Sequence, residues 1–105
     1  MTLAELDKYF RGLMEIDSLS RTDVSMNGIQ VGASGGDADS AEIKKAAFAV
    51  DACMESFERA AAAGADMLFV HHGLFWGRPV QVDGVHYKRL KFLMDNNIAL
   101  YASHL

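Results

Sequence analysis

Four residues of this sequence could do chemistry together: Asp51, the adjacent pair His71–His72, and His104. Each closes an apolar run, "AAFAVD" for Asp51, "MLFVHH" for the pair and "IALYASH" for His104. If those runs are neighbouring strands, one carboxylate and three imidazoles gather at one end of a sheet, where open α/β sheets usually bind ligands. Imidazole is the commonest metal ligand near neutral pH, because it is largely deprotonated there. The chemistry to expect is divalent-metal binding, with His71 and His72 as ligands and Asp51 and His104 as outer partners that orient them.

A blander account stands beside this one. A strand-end histidine also serves as a hydrogen-bonded structural residue, and adjacent side chains on a regular strand point to opposite faces. The pair can share a site only if the strand has already broken into a turn, which Gly73 permits. Alternatively, each histidine holds a different ion of a two-metal centre. Asp51 can equally cap the helix that follows it. Asn27 and Gln30 offer amides to a substrate, although a turn-forming Asn27–Gly28 is the simpler account of that pair. Phe75 and Trp76 read as packing before they read as a substrate box. Cys53 reads as an inert thiol in a helix, and His86, at the start of a later helix, as a surface residue.

The elements that must position these residues follow from local pattern. Thr2 and Glu5 have capping-box spacing, and Leu3, Leu6, Tyr9, Phe10, Leu13 and Met14 recur at helical intervals, predicting a helix over 3–14. The stretch from Ser20 to Ser40 is small and polar and reads as loop, with a short strand at Ile29–Val31. A strand then ends at Asp51. The following helix carries Met54, Phe57 and Ala61 on one face and Gly64 at its C-terminal cap. The strand from Met67 comes next. Val80, Val82 and Val85 around Asp83–Gly84 suggest a small turn or hairpin. A helix over 86–96 and a last strand complete the chain. Strand alternating with helix across short connections predicts an α/β fold, a mostly parallel sheet flanked by helices, in one domain over 1–105.

Composition bounds the partners. Half of the 105 residues are hydrophobic, 23% are charged, and the formal charge is −4, which disfavours nucleic acid and anionic membrane as partners. The single cysteine precludes an intrachain disulfide and suits a reducing compartment. No apolar stretch reaches the roughly 18 residues of a membrane span, and "MTLAELDKYF" lacks the basic-then-apolar order of a secretion signal. A cytoplasmic domain is the expectation. Three parallel strands leave a sheet edge poorly covered, so self-association is expected too.

Three ordered blocks, "MNGIQVG", "VHHGLFWG" and the closing "IALYASHL", resemble a known family. It is that of the type-two GTP cyclohydrolase I homologues, also called NGG-one-interacting-factor-three-like proteins. The family pattern is an N-G-L-Q-V-G loop, a strand entering H-H-P-L-F-W, and a strand ending in H-L-P-L-D. These correspond to Asn27–Gly32, His71–Trp76 with Gly73 in place of proline, and His104–Leu105. The resemblance implies a dinuclear site of divalent ions (zinc, iron or manganese), with His71 and His72 as adjacent ligands, one to each ion. The pattern's remaining ligands, an aspartate, a histidine and a glutamate, fall beyond Leu105, so the chain is expected to be the N-terminal portion of a family member. The resemblance further implies a ring-like homo-oligomer and a hydrolase acting on a purine nucleotide through metal-activated water. A non-enzymatic, metal-binding oligomeric scaffold is the alternative.

Overall fold

A computed structural model of the chain describes residues 1–14, 16 and 26–104. Helix α1 spans Leu3–Leu13 and opens on the expected reciprocal cap. The Glu5 N–H donates to Thr2 Oγ1 (3.2 Å) and the Thr2 N–H to Glu5 Oε1 (2.9 Å). That backbone bond, with the Thr2 hydroxyl next, holds the Glu5 carboxyl below its usual range.

Strand β1 (Gly28–Val31) extends the expected short strand by one residue. Ser20 to Ser25, the first part of the expected loop, lies outside the described residues. Then come β2 (Ala46–Asp51), helix α2 (Met54–Ala62), β3 (Met67–His72), helix α3 (Gly84–Asp95) and β4 (Ala99–Ala102). The sheet runs β1-β4-β3-β2. β2, β3 and β4 are parallel, as β-α-β crossovers require, and β1 adds to β4 antiparallel.

Because side chains alternate along each strand, the two sheet faces carry different cores. Leu68, Val70 and Leu100 pack against Phe57 and Ala60 of α2 and Leu90 and Leu93 of α3. On the other face Met67, Ala99 and Tyr101 lie with Leu3 of α1. There Phe10 meets Phe69 and Tyr101 at ring-centroid distances of 4.9 and 5.2 Å. Tyr101 is buried, and its hydroxyl donates to Asp7 Oδ1 (2.8 Å). Burial of each such large side chain contributes about 1.5–3 kcal/mol. The fold class and the parallel order are those expected.

Cover is uneven. β2 is the outer strand, and Phe48 and Val50 on it are more than 60% exposed. No hairpin forms around Val80–Val85. All three valines are exposed, and none belongs to a strand among the described residues. Asp83 instead takes an extended N-cap conformation, and α3 begins directly at Gly84. No described helix is long and apolar enough to cross a membrane.

Candidate metal centre

The two histidines close β3 at a step in the sheet. On one side the β3–β4 ladder ends at Val70↔Ala102. On the other, β2 pairs as far as Asp51↔His72. Both histidines belong to the strand, so the break expected before the pair comes after it, at Gly73. Their rings nevertheless lie together, with centroids 4.6 Å apart. Past Val70 the β4 side offers no ladder partner, and the His71 ring is free to settle against the end of β4.

His71 Nδ1 lies 3.2 Å from the Ser103 carbonyl oxygen, and His72 Nδ1 lies 2.8 Å from Asp51 Oδ1. A carbonyl or carboxylate oxygen only accepts, so in each bond Nδ1 carries the proton. Each Nε2 is then left with its lone pair outward, the tautomer a metal ligand needs. Of the two roles open to Asp51, the structure shows the orienting one. Its carboxylate holds His72, while Ser56 serves the start of α2. The Ser56 hydroxyl accepts from the Cys53 N–H (3.1 Å) and lies 2.7 Å from the Asp51 carbonyl oxygen. The same hydroxyl, beside the Cys53 sulfur, holds that half-buried thiol below its ordinary range.

His104 lies beside the pair. Its ring stacks on that of His71 at 4.7 Å and lies 5.4 Å from that of His72. One ligand nitrogen from each of His71, His72 and His104 falls within 4.8 Å of the others. Trp76, 37% exposed, stands edge-on to His104 at 5.0 Å and 5.9 Å from His72. Its packing is against the imidazoles themselves.

Asn27 and Gln30, the amides that could meet a substrate, bond to backbone. Asn27 Oδ1 accepts from the His104 N–H (2.8 Å). Gln30 Oε1 accepts from the Leu74 and Phe75 N–H groups (2.7 and 3.3 Å), and Nε2 donates to the Met26 and Phe75 carbonyls (2.7 and 3.1 Å). Local pattern holds no signal for this, because an inward and an outward amide look alike in one dimension. His86 also departs from its surface assignment. The 73–76 turn folds back toward α3 and brings Phe75 edge-on to His86 at 5.1 Å. The His86 Nε2 is thereby buried, without a partner among the described residues.

The comparisons with known proteins agree with one another. The family model for Duf34/NIF3 (NGG1p interacting factor 3) matches residues 1–105. The chain is 51% identical over 105 residues to a GTP cyclohydrolase 1 type 2 homolog of Treponema pallidum, covering all of this chain and 35% of that protein. It is 49% identical over 105 residues to the homolog of Archaeoglobus fulgidus, covering all of this chain and 40% of that one. The crystal structure of TTHA1606 from Thermus thermophilus superposes with a TM-score of 0.89 at 38% identity, over 100% of this chain and 40% of that chain. The chain thus spans 35% to 40% of the length of these relatives.

Proposed function

The chain belongs to the Duf34/NIF3 (NGG1p interacting factor 3) family, and from that premise we propose that His71, His72 and His104 form its share of a divalent-metal centre. The observation that carries this reading is the double Nδ1 anchoring, His71 to the Ser103 carbonyl and His72 to Asp51. It leaves the Nε2 atoms of two adjacent imidazoles available as donors, and one ring nitrogen of each lies within 4.8 Å of one of His104. Neutral imidazoles suit zinc or iron, and carboxylates supplied elsewhere would extend the choice to manganese. Two ions per full-length chain, one on each of His71 and His72, follow from the family resemblance, with further donors supplied elsewhere. A cytoplasmic setting goes with this reading, since the chain's single thiol can form no intrachain disulfide.

The relatives' name supports a hydrolase acting on a purine nucleotide. A bound divalent ion would supply Lewis-acid chemistry and lower the pKa of water toward neutrality. The chain's own part is orientation: Asp51 and the Ser103 carbonyl fix the two rings, and Trp76 packs against His72 and His104. The test is cobalt(II) titration of the chain, followed by GTP turnover, read as formate release, by the metal-loaded full-length protein. Weak binding by this chain is expected, since further donors lie elsewhere, and no binding at all by the full-length protein would remove the metal reading. Tight binding without turnover across several divalent metals would favour the second reading, a metal-binding oligomeric scaffold. That reading has its own support in the open, apolar β2 edge.

A further inference from the structure

The turn after the histidine pair has little to hold it from within. Residues 73–76 belong to no helix or strand, and Gly73 has the least restricted backbone of any residue type. Yet this turn carries Trp76 against His72 and His104. Order is imposed from β1, on the far side of β4. Gln30 reaches across with all of its principal hydrogen-bonding positions engaged. Its oxygen takes two consecutive turn amides, and its nitrogen ties the Phe75 carbonyl to that of Met26. A parallel backbone bond, Met26 N–H to the Phe75 carbonyl (3.3 Å), and the Asn27 bond to the His104 N–H complete the attachment. One short segment, Met26 to Gln30, therefore grips both histidine-bearing strand ends.

Gly73 is fitted to this grip. A Cβ there would overlap the Gln30 amide group. That amide cannot swing aside without giving up its bonds, so a side chain at 73 would force either the turn or the clamp to shift. A proline at 73 would fix φ covalently, at the cost of that shift. No backbone hydrogen bond from the Gly73 N–H is lost by that exchange among the described residues.

We propose that Gln30 is the positioning residue of the histidine centre, and that its amide clamp does for the Gly73 turn what a proline ring would do covalently. The proposal deepens the metal reading above, but the clamp itself is a property of the metal-free chain. Three variants decide it: Gln30→Ala, Gly73→Pro, and the two together. In the metal-free protein, Gln30→Ala should speed amide exchange at Leu74 and Phe75 by about tenfold or more, each having lost its acceptor. It should also shift the imidazole nitrogen resonances of His71 and His72 and the emission of Trp76. Core amides such as Leu100 should keep wild-type exchange. Cobalt(II) affinity should fall about 10–100-fold, the usual effect of losing an outer partner. Gly73→Pro should leave the histidine resonances near wild type, and in its background Gln30→Ala should have little further effect. Unchanged resonances and exchange in Gln30→Ala would overturn the proposal. So would equal acceleration at Leu100, which would mark a global loss of stability, or failure of Gly73→Pro to rescue. If the full-length protein binds no cobalt, the metal reading falls, and the metal-free measurements still decide the clamp.

Discussion

His72 and Asp51 close neighbouring parallel strands in register, and the imidazole Nδ1 of one lies 2.8 Å from the carboxylate Oδ1 of the other. Both side chains are substantially exposed, 42% and 67%. As an ion pair they would contribute at most about 1 kcal/mol to stability. Their worth lies in direction, since the carboxylate selects the His72 tautomer and aims its other nitrogen.

Asp51→Ala should therefore separate binding from folding. Divalent-ion affinity should fall about 10–100-fold, while the urea midpoint shifts by no more than about 0.5 kcal/mol equivalent. Asp51→Asn should fall between wild type and Ala, because its amide oxygen still accepts from Nδ1. Calorimetric titration and urea unfolding on the same samples read both quantities. A large stability loss with unchanged affinity would place Asp51 in the scaffold of the fold.

The three imidazoles make a comparative prediction. If His104 is a ligand, His104→Ala should weaken cobalt(II) binding as much as His71→Ala or His72→Ala, and the visible absorption of the cobalt complex should change in all three. An effect confined to His71 and His72 would return His104 to an orienting role. Folding should be little changed, because strand-end side chains carry little of the core.

At the open edge, Phe48→Lys should lower self-association. The outer side of β2 presents unpaired backbone groups beside exposed Phe48 and Val50, the kind of edge that recruits another strand. Light scattering across a concentration series should show wild-type association and a marked reduction in the variant. A wild type that stays monomeric throughout would contradict this expectation.

Cys53 should be a better nucleophile than a free cysteine at the same pH. Hydrogen bonding to Ser56 lowers its pKa, so more thiolate is present at any pH near neutrality. Removing that bond raises the pKa, and Ser56→Ala should move the midpoint of the alkylation-rate profile to higher pH. Iodoacetamide kinetics between about pH 6 and 10 measure it, bracketing the ordinary thiol range. Coincident profiles for wild type and variant would show that Ser56 does not act on the thiol.

Short-range pattern determined much of this protein. The helical spacing of Leu3, Leu6 and Phe10, the Thr2–Glu5 cap and the alternation of strand with helix are local relations. They set element type and order before any tertiary contact forms, and parallel crossovers then carry Asp51, His71, His72 and His104 to the same end of the sheet. Pattern failed where no local preference settles the outcome. Val80, Val82 and Val85 look like strand, but a strand needs a neighbour and none is there. Asp51 had two partners open to it, and the register of β2 against β3 placed His72 opposite. The surroundings of His86 and the backbone partners of Gln30 were illegible for the same reason, since which way a turn folds back depends on contacts made elsewhere in the chain. Gln30 and Leu74 are 44 residues apart, and His71 and the Ser103 carbonyl 32. The donors are written in the sequence; their aim exists only once distant strands have paired.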